Sequence, residues 1–504
     1  MQKIIATVTS WLKSPKFFGV IIGIFLMQGA FFALAVEPSY IDTHPDGYES
    51  RGGGVVPDGN RHIGAIYYFA ERPLLTSPFV ADQEDRDLWM GDLERFPSYL
   101  YYWLLSIPVK LALLIGAPDP AIILIIRFIG LLFGVLVLVV FRKIARELRA
   151  GEVVANLSGL ALALTGSLVW LAPSENYDIP SLLTFFLFTL ATVRLLARND
   201  GRQVYWMTLW LLIGGITKYT YIPFMGLMGL IAVSYYVQKN GRIRIVWQRL
   251  TAYLSKVWRT RTWLAIGATV LLIVSAGLFV ERIGGNMLHY QAFNPNCAEI
   301  HSHEACMNFG VYKRNYDRKT ALEEGTAIER YSYEPVSYTG MWIARYFSSM
   351  YAYMGHIWIE RFWPVMYIGG WAVAISTAVM LVYLKFKRRR ILDNIQQKLV
   401  AFMAVVFVVM QYLFNVRTYI NFEGMTYAHQ GRYLLAAVAF VYILMAIVAV
   451  KFVRLQSAKT RKVVVPILIA VSLLAIVTTS ALPVWFAHAD REDWYSQPFK
   501  FLAR

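Results

Sequence analysis

Several apolar runs of about 18 to 23 residues recur along this chain, separated by polar or charged segments. That is the length a helix needs to cross roughly 30 Å of hydrocarbon. The pattern predicts spans at 17–36, 120–141, 153–171, 179–197, 204–218, 221–237, 262–280, 362–384, 399–414, 433–450 and 463–485. One more apolar run, 98–116, reads both ways: it opens on tyrosines and carries Ser106, Pro108 and Lys110. If it spanned, the basic cluster Arg142-Lys143-Ile144-Ala145-Arg146 would fall on the opposite side from the other basic loops. It is therefore expected to lie in the membrane interface as an amphipathic helix.

The expected fold is all-α and polytopic, with about eleven transmembrane helices, interfacial helices and large outer loops. A single transmembrane domain covers 1–485, with outer loops at 37–119 and 282–360 and a short outer tail at 486–504. Lys3, Lys13 and Lys16 precede the first span, which reads as a signal anchor with a cytoplasmic N-terminus. Ala33-Leu34-Ala35 could be a cleavage site, but the run is long for a signal-peptide core. The expected location is the plasma membrane, multi-pass, with the C-terminus outside.

Composition agrees. Of 504 residues, 57% are hydrophobic and 16% charged, against about 25% charged in soluble proteins. The formal charge of +17 falls largely in loops that the positive-inside pattern puts in the cytoplasm. No basic stretch belongs to a nucleic-acid-binding module, so nucleic acid is not an expected partner. The two cysteines, Cys297 and Cys306, share one outer loop, NPNCAEIHSHEACMN. In an oxidising compartment they form a disulfide; the rival reading is a zinc site with His301 and His303.

Charged groups gather on the expected outer face. Asp58, Arg61 and His62 open the stretch after the first span; Glu175 and Asp178 follow the third; Lys218 sits where two spans meet. Arg417, Glu423, His429, Arg432 and Tyr433 precede the tenth span. Ionisable groups at the membrane edge are costly without partners or a water-filled cavity. Acids there suit a general base or a metal, and cations suit a lipid-linked phosphate. Plainer roles stay open: Asp58 as a helix N-cap, Lys218 as a snorkelling lysine, Glu175 as a solvated loop acid, His429 as a packed polar residue.

In their order, these segments resemble the GT-C glycosyltransferases, membrane enzymes that use polyprenyl-phosphate sugars. PDGNRHIGAIYYFAE is similar to the Pro-Asp-Glu-Ala-Arg-Tyr segment of aminoarabinose and protein mannosyl transferases, and PSYLYYWLLSIPVKL to their Pro-Pro-Leu-Tyr-Tyr-Trp segment. Arg127 fits the Arg-Leu opening of their next span, NYDIPSLLTFF their second outer loop with Asp178 at the acid, and LLIGGITKYTYIPF their Leu-Thr-Lys segment with Lys218 at the lysine. HQGRYLLAAVAF looks like a less characterised bacterial branch ending in Gln-Gly-Arg-Tyr-Leu. Gly59 stands where the family pattern has a second acid.

The resemblance implies inverting transfer of a sugar from a polyprenyl-phosphate donor to a glycan, lipid or protein acceptor. Asp58 would be the base. Lys218 and Arg432 would hold the phosphate, and Arg61, His62, Asp178, His429 and Tyr433 would line the substrate. No cofactor is required by this reading, and a divalent cation on Asp58 and Asp178 is the one option. Two other classes remain open: a transporter or flippase for a lipid-linked glycan, and a polymerase or ligase using a lipid-pyrophosphate donor.

Overall fold

The computed structural model describes residues 10–37, 40–42, 49–51, 58–72, 83–240, 248, 251–252, 263–326, 333–351, 363–421, 429–489 and 491–503. Glu423 and most of the basic loop at 241–262 lie outside them. The chain is overwhelmingly helical. Its helices are α1 (Phe17–Ala35), α2 (Gly59–Ala70), α3 (Leu100–Leu114), α4 (Asp119–Glu147), α5 (Glu152–Ala163), α6 (Gly166–Leu171), α7 (Asp178–Arg198), α8 (Gln203–Thr217), α9 (Ile222–Asn240) and α10 (Trp263–Phe279). There follow α11 (Gly285–Tyr290), α12 (Cys297–Ile300), α13 (His303–Cys306), α14 (Gly310–Glu323), α15 (Pro335–Tyr351), α16 (Trp363–Phe386), α17 (Ile395–Asn421), α18 (Leu435–Leu455), α19 (Ala458–Thr479) and α20 (Ala481–His488). One small departure from the all-α expectation is an antiparallel pair, β1 (Tyr40–Asp42) with β2 (Glu49–Arg51), Ile41 facing Ser50.

Nine helices among the described residues are long and apolar enough to cross a membrane, so the protein is a polytopic helical membrane protein. Two of the eleven expected spans are shorter than such a helix. The segment at 153–171 divides into α5 and α6. Thr165 is extended there and forms a backbone bridge with Ser480, which is extended at the break between α19 and α20. Gly166 permits this junction, since a β-carbon on it would stand 2.1 Å from the Tyr351 carbonyl oxygen. The other short segment, α8, ends at Thr217 because Lys218 leaves helical geometry (φ −153°, ψ 97°). The expected span at 262–280 instead continues through a π-turn at Val280–Gly284 into α11, carrying Arg282 inward.

α7 is buried along nearly its whole length, and α4, α8 and α9 pack around it, whereas α19 has almost no fully buried residue. α1, α4, α7, α9, α17 and α18 share one connected core that includes Phe25, Phe141, Phe185, Phe186 and Phe440. A separate cluster joins α2 and α3 to the start of α4 through Ile66, Tyr102, Leu105 and Ile126. α3 buries Tyr101, Tyr102, Leu105 and Val109, and it exposes Leu104, Ile107, Leu111 and Leu114 at helical spacing. Such an unpartnered apolar stripe suits a helix lying against lipid.

Polar contacts sort the helix termini into two groups. In one, Asn156 donates to the Leu12 and Ser14 carbonyls, Arg142 pairs with Glu152 at 2.8 Å and Glu147 takes Arg194 at 2.9 Å. The same group has Asn394 and Gln397 on the Leu148 carbonyl and Lys451 on Asp393. In the other, the tail returns to the end of α1: Val36 bridges Tyr495, and the Ser496 N–H donates to the Ala35 carbonyl at 2.9 Å. Trp485 is fully buried there against Phe32.

Candidate active site

Four charged side chains from four separate elements meet in this second group. Asp58 precedes α2, Asp178 opens α7, Lys218 follows α8, and Arg432 lies in the short 3-10 turn Gly431–Leu434 before α18. Arg432 Nη2 donates to Asp58 Oδ2 at 3.0 Å, and its Nε faces Asp178 Oδ2 at 3.5 Å. Lys218 Nζ donates to Asp178 Oδ1. The result is a chain of alternating charge, Asp58, Arg432, Asp178, Lys218.

The backbone explains each placement. Asp58 has a left-handed conformation (φ 60°), which costs a residue with a side chain about 1–2 kcal/mol and which Asp tolerates better than most. It occupies the N-cap position of α2, but its side chain makes no capping bond; its carboxylate is turned to Arg432 instead. Gly431 sets the reach of Arg432. A β-carbon there would lie 2.4 Å from the Met350 nitrogen, and the Gly431 N–H donates to Ser349 Oγ at 2.6 Å. Asn176 accepts the Asp178 N–H at 2.8 Å, which fixes the first turn of α7. The Tyr219 N–H donates to Ser98 Oγ, tying the Lys218 turn to the start of α3.

Lys218 does not snorkel: its side chain is 9% exposed, and it is ringed by Tyr177, Tyr221 and Tyr433 at 5.2, 5.9 and 5.1 Å. Aromatic faces attract a desolvated cation. The sequence reading missed Tyr177 and Tyr221. A signal was present, because each tyrosine sits one or three positions from a charged site residue in NYD, KYTY and GRY. Arg432 is also buried, at 7% exposed, and its Nη1 has no hydrogen-bond partner among the described residues. A buried donor left unpaired costs about 1–3 kcal/mol, so it calls for an explanation such as an incoming acceptor.

The remaining expected residues divide. Arg61 donates to the Met90 carbonyl at 3.0 Å and lies over the Phe309 ring at 4.8 Å, next to the charge chain but not within it. His62 is buried, with Nδ1 2.7 Å from the Tyr102 hydroxyl and its ring against Tyr177. His429 is buried with Nε2 3.0 Å from the Tyr338 hydroxyl. Both histidines therefore serve the walls. Arg417 is exposed on α17. Glu175 is not a solvated acid: it is fully buried and bonded to Arg127 at 2.6 Å.

Burial alone would raise the Asp58 carboxyl. Arg432, His62 and Arg61 outweigh it and hold the group well below the usual carboxylate range. Burial pushes the His62 imidazole down to about 4. The donor set does not fit a divalent cation in this arrangement. One Asp178 oxygen is taken by Lys218, the other faces Arg432, and Arg432 stands between the two carboxylates.

The outer-loop cysteines are bonded, with Cα atoms 5.9 Å apart. The zinc alternative falls, because His301 turns to Asp92 at 3.4 Å and His303 to the Tyr312 hydroxyl at 3.0 Å. The disulfide packs with Leu88, Phe309 and Tyr312, so the covalently closed loop supports the ring under Arg61. Arg314 of α14 is within electrostatic reach of Arg61 and Asp58. No protein-family model matches the chain, and no curated protein matches it.

Proposed function

We propose that the protein is a membrane glycosyltransferase of the GT-C kind, moving a sugar from a polyprenyl-phosphate donor to an acceptor hydroxyl with inversion. The observation that carries this reading is Arg432, buried beside Lys218 with an Nη1 unpaired among the described residues and next to an acid on a strained backbone. A phosphate would meet two desolvated cations whose burial needs no further solvent reorganisation. Asp58 takes the acceptor proton as the acceptor oxygen bonds to the anomeric carbon. The bond from that carbon to the phosphate oxygen breaks, and the electron pair leaves with polyprenyl phosphate, whose charge Arg432 and Lys218 hold.

The topology that goes with this reading has eleven passes, with α5 and α6 together making one and α8 another. The termini that gather Arg142, Arg194 and Lys451 face the cytoplasm, and the charge chain faces outward. α3 lies in the outer leaflet interface, where a lipid-linked donor presents its phosphate.

The test is sugar transfer from synthetic polyprenyl-phosphate sugars by purified protein in detergent, wild type beside Asp58→Asn. Loss of the base is expected to lower the rate by about 10²–10⁴. Equal activity in both would remove Asp58 from the mechanism. Conversely, wild-type movement of a lipid-linked glycan across reconstituted vesicles without chemical change would favour a flippase.

A further inference from the structure

The resting charge chain raises a difficulty. An acid gripped by a guanidinium is a poor base, yet the transfer reading needs Asp58 to accept a proton. The geometry of Arg432 resolves it. A phosphate bound end-on to a guanidinium takes two parallel N–H groups, one from each terminal nitrogen. Among the described residues Nη1 and Nε have no hydrogen-bond partner, but Nη2 is committed to Asp58 Oδ2 at 3.0 Å and to the Tyr433 hydroxyl at 3.3 Å. A phosphate that pairs with Arg432 in this end-on geometry draws Nη2 away from Asp58.

We infer that the donor phosphate and the Asp58 carboxylate compete for Arg432, so that donor binding is what frees Asp58 to act as base. The inference rests on the transfer reading above. The two carboxylates on Arg432 are unequal partners, which decides which one yields. Asp178 is 9% exposed, begins a buried helix, and has Lys218 on its other oxygen. Asp58 is 39% exposed, lies at the N-terminal end of α2, and among the described residues has one hydrogen-bonded partner through its side chain, Arg432. The exposed, singly held carboxylate is the one that moves.

Two consequences follow from elementary electrostatics. Once Arg432 turns to the phosphate, Asp58 loses its strongest attractive partner and gains a like charge nearby. Both changes raise its affinity for a proton, bringing it toward the range where a base works. Transfer is therefore ordered, with the donor bound before the acceptor is deprotonated. Until then the acid is masked and water at the open face is not activated.

The experiment is equilibrium binding of a short-chain polyprenyl phosphate, without sugar, to purified wild type, Asp58→Asn and Asp58→Glu in detergent. Competition predicts tighter binding by Asp58→Asn, by about tenfold, or roughly 1.4 kcal/mol. Asp58→Glu keeps the competing charge and should stay within about threefold of wild type. If wild type binds and Asp58→Asn binds equally or more weakly, the competition is overturned while the transfer reading stands. If neither protein binds the lipid phosphate, the polyprenyl-phosphate reading fails, and this inference with it. Asp58→Glu behaving like Asp58→Asn would also overturn it, because the gain would then come from lost geometry and not from lost charge.

Discussion

Arg127 and Glu175 meet at 2.6 Å with side chains 2% and 0% exposed, and the same guanidinium donates to the Ala33 and Val36 carbonyls at 2.9 and 2.7 Å. One residue of α4 thus ties the end of α1 to the loop before α7. This holds the floor on which Asp178 begins its helix. Removing one member of a buried pair leaves the other uncompensated and typically costs about 3–5 kcal/mol. Arg127→Met and Glu175→Gln should each lower the unfolding temperature in detergent markedly, whereas the double variant Arg127→Met/Glu175→Leu should recover part of the loss. Single variants as stable as wild type would show that the pair does not hold these segments.

His62 makes stability depend on pH. Its ordinary value is 6.5, and burial lowers it to about 4 in the folded protein. Between those values the unfolded chain binds a proton that the folded chain does not. Folding stability is therefore complete above about pH 6.5 and falls as pH drops toward 4, by about 3 kcal/mol. Thermal unfolding of wild type and His62→Gln from pH 7.5 to 4.5 checks this. The wild type should lose more stability than the variant, and parallel profiles would exclude His62 as the cause.

Gly431 leaves no space for a methyl group against the Met350 backbone. Overpacking of this kind costs about 1–3 kcal/mol, and here it would also displace Arg432, the next residue. Gly431→Ala should bind a lipid phosphate more weakly than wild type even where it remains folded. Unchanged binding would mean that the turn tolerates the shift without moving the guanidinium.

The disulfide packs against Phe309, whose ring lies under Arg61, and the helix that follows carries Arg314 within electrostatic reach of Asp58. The charged side chains that hold Lys218 and Asp178 come from other elements. Breaking the disulfide in Cys297→Ser should therefore raise the KM for the acceptor more than it weakens donor binding. Equal loss of both would show that the closed loop supports the whole site.

The sequence by itself determined the polytopic helical class, the placing of Cys297 and Cys306 in one loop and the segments that carry the charges. These depend on local quantities: the length of an apolar run, the spacing of cysteines in one loop, the position of a charge relative to a helix end. They also sort Arg142, Arg194 and Lys451 from Asp58, Lys218 and Arg432, because the chain reverses at each span. What only the tertiary structure decided was partnership. Glu175 and Asp178 are three positions apart and look alike in sequence, yet one is spent on Arg127 and the other on Lys218 and Arg432. Asp58 reads as an N-cap until a residue 374 positions away takes its carboxylate. The helix break at Thr165 was hidden for the same reason, since its segment is apolar enough to continue and Thr165 is held extended by the distant backbone of Ser480, whereas the break at Lys218 was legible as the meeting of two spans. Hydropathy is a sum over neighbours in the chain; charge pairing depends on neighbours in space, which in this protein come from α4, α7, α8 and α18.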